Sequence, residues 1–228
     1  MNSKTELITA TFEKVIFALF PNRCPYCKQI IPPYDYACDR CKKEIPVLGF
    51  FRGVKGEFQC SSPLMHCGTF RKALLGFKFK NKTQFAPDFA QLIYKQIQES
   101  YSDYIFDMIT YIPMHKKDEQ KRGYNQSQLL ANELSKLMKI PCVNTLRKVK
   151  RTRPQHNLPA VQRRNNLNGA FRIIDKNIVK GKTILIIDDV ITTGSTLFEC
   201  SKTLKKGNTA QICCATLATA VDFRYQQS

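Results

Sequence analysis

The chain has no tryptophan, half as many acids as bases, no long apolar run and no internal repeat. The missing tryptophan excludes nothing by itself. No stretch reaches the roughly 18 consecutive apolar residues of a membrane-spanning helix. The N-terminal run ELITATFEKVIFALF lacks a small-residue cleavage site and is interrupted by Glu13 and Lys14, so a secretory leader is not expected. Leu7, Ile8, Phe12, Val15, Ile16 and Leu19 instead mark one apolar face of a helix over residues 1–20. The scarcity of acids has the larger consequence. Asp and Glu number 18 against 36 Lys and Arg, a net charge of +18 over 228 residues. Such a balance suits nucleic acid, phosphorylated metabolites or an acidic surface, though a merely basic protein would show it too.

The excess is uneven. Residues 147–174 hold eight Lys or Arg and no acid. The stretch reads as a strand over about 142–149, a basic flap carrying Arg153, Gln155, His156, Arg163 and Arg164, and a short strand near Phe171. Hydrophobic residues make up 43%, enough for one medium α/β domain and a small appendage.

Ten cysteines are present, four of them paired by spacing. Cys24-Pro-Tyr-Cys27 and Cys38-Asp-Arg-Cys41 form two C-x₂-C knuckles separated by ten residues. Four thiolates so arranged can close a tetrahedral Zn²⁺ site, which folds a segment too short for its own core. Two disulfides or a redox pair are the alternatives, and the absence of a secretory signal favours reduced, metal-binding cysteines. Cys60, Cys67 and His66 have poor spacing for a second site. Cys142, Cys200, Cys213 and Cys214 fall in predicted strands or a helix, where cysteine packs as a small hydrophobe. His115 and His156 read as incidental loop histidines.

Organisation along the chain follows: a helix over 1–20, a four-cysteine zinc knuckle over 21–50, then a domain over 51–228 that opens with a linker. Helical patterning flanks a basic turn at Lys78-Phe79-Lys80-Asn81-Lys82. DMITYIPM (107–114) reads as a buried strand running into His115, Lys116, Lys117, Lys121 and Arg122, and a helix is predicted over 126–139. VNTLRKV follows as a strand, so strands alternate with helices and a mostly parallel sheet is expected.

The most informative stretch is TILIIDDVITTGSTLFECSKTLKK, residues 183–206. Its first part is β-branched and apolar without alternation, the pattern of a strand buried on both faces. Helical spacing begins at Ser195 and a Gly207-Asn208 stop ends it. Thr192, Thr193, Gly194, Ser195 and Thr196 thus lie between a strand's carboxyl end and a helix N-terminus, where unpaired N–H groups and the helix dipole receive anions. Asp188 and Asp189 cannot receive a phosphate, so they suit sugar hydroxyls or a metal. Ordinary turn chemistry is the plain alternative. A Walker site fails, because Lys176 stands where its first glycine belongs and a strand follows Gly181-Lys182-Thr183.

IIDDVITTGST resembles the signature of type I phosphoribosyltransferases. That likeness implies an acid pair holding the ribose 2′- and 3′-hydroxyls and a TTGST loop around the 5′-phosphate. In the order C-x₂-C…C-x₂-C, GFKFKNK, YIPMHKKDEQKRGYNQSQLLA, RTRPQHNLPAVQRRNNLNGAF and ILIIDDVITTGST, residues 20–220 are similar to the ComF family. Cys67 departs from that family's usual aromatic there. The resemblance implies a type I phosphoribosyltransferase fold with a small N-terminal zinc module, a cytoplasmic location, and a part in natural competence alongside DNA-uptake proteins. It implies binding of phosphoribosyl pyrophosphate, or its phosphoribosyl fragment, with Mg²⁺. Asp188, Asp189 and Arg122 would serve catalysis, residues 192–196 the phosphate, and Lys80 and Lys116, with Arg122, the pyrophosphate. Arg153, Gln155 and Arg163 would close over the site.

The alternative is a non-catalytic module that binds single-stranded DNA and uses the phosphoribosyl site as sensor or grip. There Arg23, Lys28, Arg40, Lys42 and Lys43 would contact strand phosphates and Tyr26 would stack a base. The acceptor, turnover and oligomeric state are not written in the sequence.

Overall fold

The computed structural model describes residues 21, 23–32, 37–44, 47–54, 58–66, 68–79, 82–152 and 167–220. The predicted helix over 1–20, Cys67, Lys80, and the flap residues Arg153, Gln155, His156, Arg163 and Arg164 lie outside them. The chain divides into two compact units, Met1–Ile45 and Pro46–Ser228.

In the first unit Arg23 and Ile30 pair across a tight turn, with the Cys24 amide donating to the Gln29 carbonyl at 2.8 Å. Lys28 takes a left-handed φ of 72° to close that turn. Helix α1 (Asp39–Glu44) begins within the second knuckle and carries Cys41. Tyr26, the expected base-stacking residue, is buried, which disfavours stacking on a base.

The second unit is built on five strands: β1 (Val47–Val54), β2 (Phe58–Met65), β3 (Met108–Tyr111), β6 (Thr183–Ile191) and β7 (Gln211–Thr219). They lie in the order β1-β2-β7-β6-β3. β2, β7, β6 and β3 run parallel and β1 is an antiparallel edge strand. The segment expected to be a linker is therefore the β1–β2 hairpin. Its strand character is masked because β2 buries Ser61, Ser62 and Pro63 along with its apolar residues. Ser62 Oγ lies 2.6 Å from Thr216 Oγ1 on β7, so the buried hydroxyls satisfy each other.

Helices α3 (Ala86–Ser100) and α5 (Gln126–Met138) pack on the sheet, and α2 (Gly68–Phe79) packs on α3. α3 and α5 pack against each other and over the parallel strands. Phe89 of α3 meets Phe77 of α2 edge-on at 5.4 Å between centroids, and Phe70 at 6.1 Å. Fully burying side chains of this size contributes about 1.5–3 kcal/mol each, which fixes the end of α2.

The expected strand over 142–149 is only partly one. Cys142 makes an isolated parallel bridge to Ile109, and β4 (Leu146–Lys148) instead pairs antiparallel with β5 (Phe171–Ile173). This two-stranded ribbon leaves the main sheet and has the flap between its strands. Short α6 (Lys176–Val179) and α7 (Ser195–Lys205) complete the unit. Ile184, Ile186, Cys200, Cys214, Phe171 and Leu146 share the core on that side of the sheet. Cys200, Cys213 and Cys214 are buried as expected of small hydrophobes.

Candidate functional site

β6 and β3 stay paired from Ile184 with Met108 to Ile187 with Tyr111. Beyond that point β6 continues beside β7 to Ile191, while Pro113 takes the other chain away from the sheet. A cleft of about 1030 Å³ opens where they part, beyond the carboxyl ends of the strands. Its lining includes Asp188, Asp189 and Thr196 on one side, and Lys121, Arg122 and Ser127 on the other.

On the β6 side, the chain turns at Gly194, whose φ of +72° is left-handed. A Cβ there would lie 2.5 Å from Val54 Cγ1, so only glycine lets the turn pass so near β1. Gly194 is the N-cap of α7, and it makes no side-chain cap bond. The nearby hydroxyls bond locally: Thr193 Oγ1 and Ser195 Oγ are 2.9 Å apart, and the Ser195 amide points to Thr193 Oγ1 at 3.4 Å.

The opposite wall is the run Arg122-Gly123-Tyr124-Asn125-Gln126. It joins α4 (Lys116–Arg122) to α5, with Gly123 in a left-handed C-cap. His115, read from sequence as incidental, caps α4: its Nδ1 accepts from the Lys117 amide at 3.3 Å. Asn125 caps α5 by accepting from the Ser127 and Gln128 amides, and donates to the Ile112 carbonyl at 3.0 Å. Arg122 donates to Gln126 Oε1 at 2.7 Å, and Gln126 donates to the Lys78 carbonyl at 3.2 Å. Tyr124 donates its hydroxyl hydrogen bond to the Phe77 carbonyl. The end of α2 is thereby bound to this wall.

The acid pair is not a free anion. Asp189 forms an ion pair with Lys78 at 2.9 Å. Asp188 accepts from Ser127 Oγ at 2.8 Å and from the Asp189 amide at 2.9 Å. Burial, then the Asp189 charge, pushes the Asp188 carboxyl up to about 7. Burial likewise lowers Lys148, whose ammonium lies 5.8 Å from the centroid of the Phe171 ring. His66, at the end of β2, is held low by burial and then by Lys78 and Arg71. Arg151 pairs with Asp118 at 3.0 Å on the cleft rim.

Of the residues singled out from sequence, Arg122, Asp188, Asp189 and Thr196 line one cleft. Residues 192–195 form the turn leading to Thr196. Lys116 is exposed on the first turn of α4 and is not among the lining residues. Sequence reasoning missed Lys78 and Ser127, the two side chains that touch the acid pair, and Lys148. Lys78 could have been suspected from the basic turn it opens. Ser127 carries no such signal, because one serine inside a helix reads as solvated.

In the first unit, Cys24, Cys27, Cys38 and Cys41 bring their sulfurs within 4.8 Å of one another. Cys27 and Cys38 Sγ are 3.4 Å apart, and all four are free thiols. A tetrahedron of Zn–S bonds of about 2.3 Å has edges of about 3.8 Å, so these sulfurs could hold a metal such as zinc. A backbone hydrogen bond at Gln29 lowers the Cys27 thiol to about 7, easing formation of a thiolate. Among the described residues no other group of three or more such ligands is gathered, Cys60 and His66 included. Arg23 and Lys28 donate to carbonyls of the knuckle itself, at 3.2 Å and 2.8 Å.

The family model described as phosphoribosyl transferase domain matches residues 124–224. Competence protein F of Haemophilus influenzae is 30% identical over 184 residues, covering 69% of this chain and 80% of that protein. DNA utilization protein YhgH of Salmonella typhimurium is 29% identical over 178 residues, covering 71% and 74%. Among solved structures, adenine phosphoribosyltransferase from Saccharomyces cerevisiae aligns with a TM-score of 0.40 at 18% identity, over 66% of this chain and 75% of that one.

Proposed function

The chain belongs to the ComF family and carries a phosphoribosyl transferase domain, and on that premise we propose that it binds phosphoribosyl pyrophosphate, or its phosphoribosyl fragment, in the service of DNA uptake. One observation supports this above the others. Thr196 at the end of the 192–196 turn, the acid pair and the basic wall line a single cleft beyond the strand ends. In this reading the Gly194 turn and the first amides of α7 receive the 5′-phosphate. Asp188 and Asp189 accept from the ribose hydroxyls, with Ser127 and Lys78 orienting them. Arg122, Lys121 and Lys148 present positive charge to the pyrophosphate, with Lys80 and Lys116 as further candidates. Mg²⁺ accompanies the ligand, held mainly by the ligand's own oxygens, and supplies charge neutralisation when bound.

Glycosyl transfer would develop positive charge at the anomeric carbon as pyrophosphate departs. Fixed cations at the leaving group and a water-poor cleft lower that barrier. The four cysteines hold Zn²⁺ as a structural ion, which agrees with a reducing, cytoplasmic setting.

Titration of phosphoribosyl pyrophosphate with Mg²⁺ by calorimetry tests the site. Binding should be saturable in the native chain and weakened at least tenfold in the double variant Asp188→Asn, Asp189→Asn. Equal affinity in both would reject it. Pyrophosphate release over time then separates an enzyme from a sensor.

A second reading, single-stranded DNA binding, is favoured by the exposed cations Arg147, Lys150, Arg151 and Arg172 on the β4–β5 ribbon, in line with the relatives named for competence and DNA utilization. Both readings can hold together, since Arg147, Lys150 and Arg172 are not among the residues lining the cleft, although Lys148 and Arg151 beside them border it.

A further inference from the structure

Strand β4 serves two surfaces at once. Leu146 enters the core, Arg147 is exposed, and Lys148 borders the cleft. Arg147 lies directly opposite Arg172 of β5, which is exposed as well. Like charges facing each other on neighbouring strands repel, and no acid in residues 147–174 offsets them. An anion laid across the pair relieves that repulsion. Just past β4, Lys150 is exposed and donates to the Asn168 carbonyl at 3.1 Å, which ties the two sides of the ribbon together.

Arg151 stands where the two surfaces meet. Its Cα is about 3.8 Å from that of Lys150, yet it borders the cleft. Its Nε donates to Asp118 Oδ1 at 3.0 Å, with the arginine side chain 60% exposed and the aspartate side chain 33% exposed. Asp118 belongs to α4, the helix that carries Lys121 and Arg122 on the cleft wall. An ion pair this open to water is weak. A phosphate, which a guanidinium grips with two parallel hydrogen bonds, takes Arg151 from Asp118 readily. Two phosphates have a claim on it. One belongs to a strand lying along Arg147, Arg172 and Lys150, the other to a pyrophosphate in the cleft. A guanidinium fixed on one is lost to the other. When the strand holds it, Asp118 is also left as an uncompensated negative charge at the cleft's edge, where it repels an anionic ligand.

We propose that Arg151 is shared between ribbon and cleft, so that a single strand on the ribbon and a pyrophosphate-bearing ligand in the cleft each weaken the binding of the other. A loaded cleft loosens its hold on DNA, and bound DNA loosens the cleft's hold on its ligand. The coupling rests on both readings given above and supplies the connection between them.

A labelled oligothymidylate reports the coupling by fluorescence anisotropy. Titrated with the whole chain at matched ionic strength, it should bind about fivefold more weakly when phosphoribosyl pyrophosphate and Mg²⁺ saturate the cleft. Calorimetry of phosphoribosyl pyrophosphate with and without the strand should return the same factor, because binding linkage is reciprocal. Arg151→Ala should erase the factor while each ligand alone still binds. Lys150→Ala should weaken the strand and leave the factor as it is. If each ligand binds alone and the strand is held equally or more tightly in the presence of the other, the coupling is overturned and both readings stand. A factor that survives in Arg151→Ala overturns the sharing of that residue. If either ligand fails to bind alone, the reading of its surface fails and the coupling with it.

Discussion

At Gly194 two independent constraints coincide, a left-handed φ of +72° and a Val54 methyl 2.5 Å from where a Cβ would sit. Gly194→Val should therefore cost about 2–4 kcal/mol of stability through strain and overpacking. Calorimetry should find phosphoribosyl pyrophosphate binding abolished in the variant while circular dichroism shows the fold retained at low temperature. Retained affinity would remove the turn from the site. Asp188 poses a different question, one of protons. Its folded carboxyl titrates at about 7, above the ordinary value of 3.8. The folded chain thus holds this proton more tightly than the unfolded chain does. The associated stability is complete below about pH 4 and is lost as the pH rises through 7. Asp188→Asn can still accept from Ser127 and Asp189 through its Oδ1. It should flatten the stability profile between pH 4 and 7 and be more stable than the native chain above pH 7, on the order of 1–3 kcal/mol. Urea unfolding at a series of pH values decides this, and parallel profiles would contradict the assignment.

Among elements, the turn from α4 to α5 holds the wall together through Asn125. Replacing Asn125 by Ala removes two amide caps and the bond to the Ile112 carbonyl. The cost should be about 2 kcal/mol in urea unfolding, and a cost below about 0.5 kcal/mol would mean that the turn is held in other ways. The knuckle is the other element with a sharp test. Metal analysis of chain purified without chelator should give one zinc per molecule. Cys24→Ser should abolish it and unfold Met1–Ile45, leaving the unfolding transition of Pro46–Ser228. Intact disulfides at those cysteines would refute the metal. Both the knuckle and the β6–turn–α7 unit were legible in the sequence for the same reason: their chemistry is local. Spacing alone pairs Cys24 with Cys27, and TILIID followed by TTGST needs no distant partner to be read as strand and turn. β1 and β2 were not legible. Gly49, with φ +55°, interrupts the first, and the second hides its burial behind Ser61, Ser62 and Pro63. Ser62 is satisfied by Thr216, 154 residues away, and no local pattern announces such a pairing. Lys78 and Ser127 escaped for the same reason, since their roles exist only once α2, α5 and β6 are brought together.

For the molecule as a whole, the charge of +18 sets how it meets a polyanion. If the β4–β5 ribbon grips single-stranded DNA, Arg147→Ala, Lys150→Ala and Arg172→Ala together should reduce the slope of log K against log salt by about 0.7 for each phosphate no longer neutralised. The weakening should be alike for unrelated sequences, since binding to the strand's backbone carries no base information. Gly194→Val should leave the slope unchanged. Weakening confined to Gly194→Val would transfer the grip to the cleft. The strand order has a further consequence, one that belongs to synthesis rather than to binding. β7 follows every other described strand along the chain, yet it lies between β2 and β6. Until it leaves the ribosome, β2 and β6 each present an unpaired parallel edge, and Thr216 is not there to meet Ser62. The nascent chain must therefore wait, sticky-edged and without its sheet, until residue 219 has emerged. A chain that ends within α7 can register β6 against β3 only as far as Ile187, so Asp188 and Asp189 have no strand beside them and the wall of the cleft is completed late and all at once.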